Sequence, residues 1–333
     1  MFIPLTTYLL LAHAAAASLK PSFKTSWNCT ILNSKTLHPD VFYTKQSCTT
    51  SNVPTTPDIT KTIPYGPLVI NIVVANLNSS DLQLVPVTAL PNTVTPLDNM
   101  TNPTPLTTDL LVGINAAYFY RVDETHFFDN VCLGKLKKIA LLPPSLQKPN
   151  HGVSDGAIIR NGAVLGSNCD CYGENRVTML SINGTKTSID VLQGKGSSLP
   201  YGLELDAIGA GPNLITNSII AIPPHDQNFA NIYEHSANTG FGLRSSDEEG
   251  RQQAVFLTTD GGDGCKNNDV TCGTNAFTLA YLMRDEFGVD SAMGMDQGGS
   301  TTMWLNGSGI VSNGGGSGRA IFSGLFLSVK KKK

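Results

Sequence analysis

QAVFLTTD (253–260), TNAFTLAYLMRDEFG (274–288) and DSAMGMD (290–296) together decide the fold of this chain. The first is an apolar run ending in hydroxyls and a carboxylate, the pattern of a strand buried on both faces. The second places Ala276, Leu279, Ala280, Met283 and Phe287 at helical spacing. Thr274 is the expected N-cap and Gly288 the expected C′ residue. The third segment reads as another strand. A right-handed crossover makes the two strands parallel, so Asp260 and Asp296 fall at one edge of a sheet, where α/β folds bind ligands.

Working outward, most other segments read as strands and hairpins. LVINIVVAN (68–76) is a strong strand, and the turn NSSD joins it to LQLVPV (82–87) in an expected hairpin. LLVGINAAYF (110–119) is a strand ending in small residues. IIRNGAVLG (158–166) and VTMLSINGTKTSIDVL (177–192) turn at Asn-Gly pairs. LDAIGAGPNLITN (205–217) is a strand broken by Gly209 and Gly211, and TTMWLNGSGIV (301–311) is a hairpin. The expected class is therefore α+β: a sheet-rich, mixed α/β domain of hairpins with a C-terminal strand–helix–strand unit.

The expected organisation has four parts. Residues 1–17 read as a signal peptide: Leu5 to Ala17 is largely apolar and Ala15-Ala16-Ala17 precedes Ser18, although the segment lacks Lys and Arg. Residues 18–66 are a polar lead-in, rich in Thr and Pro over 49–62. Residues 67–329 are the folded domain, and 330–333 a solvated Lys tail. No run approaches the ~18 apolar residues of a membrane span. Five N-x-S/T sequons, at Asn28, Asn78, Asn99, Asn183 and Asn306, and seven cysteines fit a secreted or endomembrane-lumenal protein. Cys265–Cys272 is the first expected disulfide and Cys29–Cys48 the second. Cys132 pairs less clearly with Cys169 or Cys171, and one thiol is left over.

The chain has 333 residues, 41% of them hydrophobic, which excludes wholesale disorder. Its net charge is −3, and removing the four positive charges of Lys330 to Lys333 leaves −7. No basic face exists to meet nucleic acid. Zinc-finger spacing is absent, and Asp260, Asp263 and Asp269 lack the spacing of an EF-hand loop. No metal or other cofactor is expected.

Three features carry candidate chemistry. MDQGGSTT (295–302) sets Asp296 before Gly298, Gly299, Ser300 and Thr301, a turn whose backbone could approach a phosphate or sugar oxygen, or could simply lead into a hairpin. Asp260 opens a second Gly-rich loop. Arg319 follows the run GGGSG in a chain of seven Arg and is either a phosphate contact or a surface Arg at a strand start.

INAAYF (114–119), DAIGAGPNLITN (206–217), NTGFGL with FLTTDGG (238–262), GTNAFTLAYLM (273–283), MDQGGSTTMWLNG (295–307) and GRAIFSGLF (318–326) resemble, in that order, the phosphodiester glycosidase domain family. The resemblance implies hydrolysis of a sugar-1-phosphodiester at the sugar–phosphate bond, with a carbohydrate or sugar-phosphodiester as partner. It implies Asp296 and Asp260 as catalytic carboxylates, and Asn115, Gly298, Gly299, Ser300, Thr301 and Arg319 as substrate contacts. Three positions depart from the family pattern: Asn238 and Gly262 replace Arg, and Thr278 replaces Glu. Two functions besides phosphodiester hydrolysis fit these departures, a non-catalytic glycan-binding ectodomain and a glycosidase of neutral glycosides.

Overall fold

The computed structural model describes residues 24–54, 62–88, 93–101, 109–121, 152–154, 156–165, 177–182, 186–191, 205–222, 232–246, 251–261, 273–312, 314 and 319–330. The expected signal peptide at 1–17, Gly262, Cys132, Cys169, Cys171, Cys265, Cys272 and the tail beyond Lys330 lie outside these residues.

Among the described residues there are twenty strands and one α-helix, Ala276–Asp285. The protein is therefore mostly β, not the mixed α+β domain expected. Every strand ladder among those residues is antiparallel, and antiparallel neighbours need no helical crossover. The strand–helix–strand unit is real, but it is a local feature of a sheet structure. Its two strands, Arg251–Thr259 and Ser291–Gly294, do run parallel. They are not neighbours, because Asn238–Ser246 lies between them and pairs antiparallel with both.

An eight-stranded sheet organises the molecule. Its order is Trp27–His38, Val41–Pro54, Thr62–Asn76, Arg251–Thr259, Asn238–Ser246, Ser291–Gly294, Asn213–Thr216, Ile219–Ile220. A five-stranded sheet of Gly309–Ile310, Met303–Leu305, Asp109–Asn115, Ser323–Val329 and Leu82–Thr88 packs on one face. The helix packs on the other. LVINIVVAN shows both contacts: Leu68, Ile70 and Ile72 join the helix-side cluster, while Val73 and Ala75 join the inter-sheet cluster. Burial on both faces is why this strand reads as an unbroken apolar run. A third sheet, Lys186–Val191, Val177–Ile182, Leu205–Ala210, Ile158–Arg160 and Ala163–Val164, adds Ile158, Ile208 and Ala210 to the inter-sheet core.

The helix lies close to the sheet because the strand beneath it carries glycines. A Cβ at Gly240 would stand 2.7 Å from the Met283 sulfur, and one at Gly242 would stand 2.5 Å from Val289 Cγ1. The helix N-cap is Asn275, one residue beyond the expected Thr274; its side chain accepts from the Thr278 amide at 2.8 Å. Gly288, in the left-handed region at φ 64°, turns the chain after the helix.

Two further expectations are revised. Residues 27–54, read as part of a polar lead-in, form the long hairpin that closes one side of the eight-stranded sheet. Residues 30–36 of its outer strand are exposed, so the strand is held by backbone pairing and shows no apolar alternation. Cys29 and Cys48 stand directly opposite each other in this hairpin and form a disulfide. Closing a loop of that length stabilises the fold by about 3 kcal/mol in the chain-entropy account. The second revision concerns Leu82–Thr88, which does not fold back on Thr62–Asn76. It crosses to the other sheet and pairs with Ser323–Val329, a partner some 240 residues away that no local pattern announces.

Candidate functional site

Asp260 and Asp296 meet the expectation that topology places them at one sheet edge. Asp260 directly follows Arg251–Thr259, and Asp296 follows Ser291–Gly294. Asn238 stands between them, opposite Thr259 on one side. On its other side the Met295 amide bonds to the Thr239 carbonyl at 2.9 Å and the Gly298 amide to the Ala237 carbonyl at 2.8 Å. The two carboxylate-bearing segments are thus two strand spacings apart, about 10 Å.

A buried polar row runs across the inter-sheet face of this edge. Lys45 is paired with Asn71, Asn71 with Thr258, and Thr258 with Thr239. Asn71, Thr258 and Thr239 are fully buried. The row ends on Asn115, the last residue of its strand and also fully buried. The Asn115 side chain accepts from the Thr239 hydroxyl at 2.6 Å and from the Thr302 amide at 2.9 Å, and donates to the Asp296 carbonyl at 2.6 Å. The Asp296 amide donates to the Ala116 carbonyl at 2.9 Å. Asp296 is pinned by its backbone on both sides while its residue stays partly exposed. Asn115, expected to touch substrate, is bonded to the Asp296 segment through its side chain.

Asp260 is held by its side chain. Its Oδ1 accepts from Asn71 Nδ2 at 3.1 Å, and its Oδ2 lies 3.7 Å from the Lys45 ammonium. The Tyr43 hydroxyl donates to Asn71 Oδ1 at 3.0 Å. Burial, and next the Asp260 charge, push the Tyr43 phenol up to about 12, so it remains a neutral donor at physiological pH.

The Gly-rich turn does not behave as an open anion cradle. Gly298–Ser300 is a short 3-10 turn with Gly298 in the left-handed region, φ 65°. The Gly298 amide donates to Ala237, the Ser300 amide to Gln297 and the Thr301 amide to Gly298, at 2.8, 3.4 and 3.0 Å. Ser300 and Thr301 are buried. Three of the four amides expected to hold a phosphate are committed to protein carbonyls. Arg319 is exposed, two residues before the Ile321–Thr95 bridge. No hydrogen bond or ion pair among the described residues links it to either carboxylate. Its chain continues to Ser323, whose carbonyl accepts from Ala116 at 3.1 Å, which brings it to the Asp296 side of the edge.

Two of the three departures from the family pattern, Asn238 and Thr278, are buried among the described residues. The Asn238 amide donates to the Ser236 and Thr274 carbonyls at 3.1 and 2.6 Å and is buried. Thr278 is buried in the first helical turn. Sequence reasoning missed Lys45, Asn71 and Thr239. The available signal was Asn71 itself, an amide inside the apolar run from Leu68 to Ala75.

The family model for phosphodiester glycosidases matches residues 110–328, a span that includes Asn115, Asp260, Asp296, the Gly298–Ser300 turn and Arg319. The chain belongs to the phosphodiester glycosidase family. That places it at a coarse level among glycosidase-type hydrolases, whose partners are carbohydrates. No curated protein matches it by sequence. Among solved structures, the phosphodiester glycosidase fold resembles an exported protein of Burkholderia pseudomallei (10% identity, 91% of this chain and 97% of that one, TM-score 0.52). Two others are similar. One is the zebrafish N-acetylglucosamine-1-phosphodiester α-N-acetylglucosaminidase catalytic domain auto-inhibited by its pro-peptide (16% identity, 92% and 89% coverage, TM-score 0.49). The other is a hypothetical protein from Synechocystis (10% identity, 87% coverage, TM-score 0.48), of whose length this chain spans 62%. No helix among the described residues is long and apolar enough to cross a membrane.

Proposed function

We propose that this protein is a secreted or endomembrane-lumenal hydrolase that cleaves the sugar–phosphate bond of a sugar-1-phosphodiester, with Asp296 as its key carboxylate. The observation that carries the reading is the Asn115 node. A fully buried amide fixes the Asp296 segment at the sheet edge, within the family span. Burying an amide on a carbonyl, a hydroxyl and a backbone N–H holds the segment in one register, the preorganisation that a catalytic carboxylate needs.

The chemistry is undemanding on the leaving side. The anomeric C–O bond breaks with its electron pair going to a phosphate oxygen, and the departing phosphate monoester is a good leaving group. Asp296 takes the proton of the attacking water or stabilises the oxocarbenium-like centre. Asp260 is the second carboxylate of the edge, and Arg319 faces the phosphate. Turnover of sugar-1-phosphodiesters tests this. Asp296→Asn lowers kcat by roughly 100-fold or more, and Arg319→Ala raises KM. Unchanged rates in both variants remove the assignments.

One observation favours a second reading, a glycan-binding domain without catalysis: Asn238 and the turn amides are engaged within the protein. That reading expects saturable sugar binding with no product release. Turnover that depends on Asp296 excludes it, and faster cleavage of simple glycosides than of phosphodiesters would point to a neutral glycosidase.

A further inference from the structure

The proposed reaction needs a cation for the phosphate, and the expected sources are weak. Asn238 stands at one departed Arg position and is buried, Gly262 at the other carries no charge, and three amides of the 298–301 turn are committed to carbonyls. Yet the sheet edge carries a cation that no motif singles out. Lys45 lies in Val41–Pro54, on the long hairpin that precedes the family span. Its ammonium is 3.7 Å from Asp260, with both side chains partly open to solvent, at 34% and 22% exposure.

We propose that Lys45, held in place by Asp260, joins Arg319 in receiving the anionic phosphate of the substrate, so that Asp260 acts as a positioning residue for this second cation. This deepens the reading above and rests on it.

Three observations support the assignment. First, Asp260 is anchored from the opposite side by Asn71, itself fully buried and bonded to Tyr43. The carboxylate is therefore a fixed post against which a flexible lysine is oriented. Second, a partly exposed lysine–carboxylate pair is a weak bond, and an ammonium has three donors. A phosphate oxygen can bind Lys45 without dismantling the Asp260 contact. Third, the spans agree. Asp260 and Asp296 stand two strand spacings apart, about 10 Å. A sugar carbon in contact with Asp296, its phosphate one bridging oxygen away, and a hydrogen bond donated to that phosphate by the Lys45 ammonium, which stands beside Asp260, cover roughly the same length.

The test measures binding by calorimetry, using a panel of α-hexose 1-phosphates and the matching methyl α-glycosides on the full folded chain. Lys45→Met is expected to weaken sugar 1-phosphate binding by roughly 10- to 100-fold, the range of a charge-assisted hydrogen bond. It should move methyl glycoside binding by less than about twofold and flatten the salt dependence of phosphate binding. Lys45→Arg should restore most of the phosphate affinity. Equal losses for charged and neutral ligands would mean that Lys45 serves only the fold, and would overturn the proposal. So would an unchanged phosphate affinity in Lys45→Met, or a wild-type protein that binds no member of the phosphate panel. An inert wild type that still binds sugar 1-phosphates through Lys45 refutes the hydrolase reading while upholding this one.

Discussion

Replacing Asn115 by Ala should both destabilise the protein and release the Asp296 segment. Asn115 is fully buried and makes three side-chain hydrogen bonds, to the Thr239 hydroxyl, the Thr302 amide and the Asp296 carbonyl. Each bond contributes about 1 kcal/mol net, and each buried group left without a partner costs about 1–3 kcal/mol. Thr239 is fully buried, so its hydroxyl would be left without a partner, whereas Asp296 and Thr302 are partly exposed, so water can take over part of their loss. The expected destabilisation is therefore about 3–4 kcal/mol, a large share of a typical domain's 5–15 kcal/mol. In urea unfolding the midpoint should fall with little change in slope. Under conditions where the variant is still folded, kcat should fall more than KM rises, because the carboxylate is displaced while the rest of the edge persists. A stability loss under about 1 kcal/mol, or a folded variant with native turnover, would refute the claim that this amide positions Asp296.

Two further outcomes follow from the packing and the polar row. Gly240→Ala sets a Cβ 2.7 Å from the Met283 sulfur, so the buried Met283 side chain must repack or the helix must shift, with a loss of about 1–3 kcal/mol in thermal or urea unfolding; a neutral result would mean that Met283 moves aside without cost. Tyr43 titrates at about 12 because of burial and then the Asp260 charge. Its folded pKa lies above the ordinary value near 10, so its contribution is intact below about pH 10 and is lost as pH rises toward 12. Asp260→Asn should bring this ionisation down, visible as tyrosinate absorbance appearing at lower pH; an unmoved titration would sever the link between Tyr43 and Asp260.

The parts of the fold readable beforehand are those whose signal is local. The hairpins at Ile158–Arg160 with Ala163–Val164, and at Val177–Ile182 with Lys186–Val191, form as expected. The first turns through Asn161 and Gly162, both at positive φ, the geometry that Asn-Gly favours. The helix was legible from its 3.6-residue period. The hairpin at 27–54 was not, because its outer strand is exposed along most of its length and carries no alternation. The pairing of Leu82–Thr88 with the last strand was not, because nothing in LQLVPV distinguishes one distant partner from another.

The site divides the same way. Asp260, Asp296 and the Gly turn stood out as residue types in a suggestive setting, and the crossover argument placed both carboxylates at one edge. What each group does there depends on bonds between residues far apart in sequence. Asn115 meets Asp296 and Thr239 across separations of 181 and 124 residues, and Asp260 meets Asn71 across 189. The amides of the turn looked available in the sequence and are committed in the fold. By itself, the sequence determined composition, the helix, the local hairpins and the kind of chemistry the edge could host, because those follow from short-range periodicity and residue type. Only the tertiary structure decided which groups at the edge are buried supports and which remain open to a ligand, because hydrogen-bond partnership and burial belong to strands brought together from opposite ends of the chain.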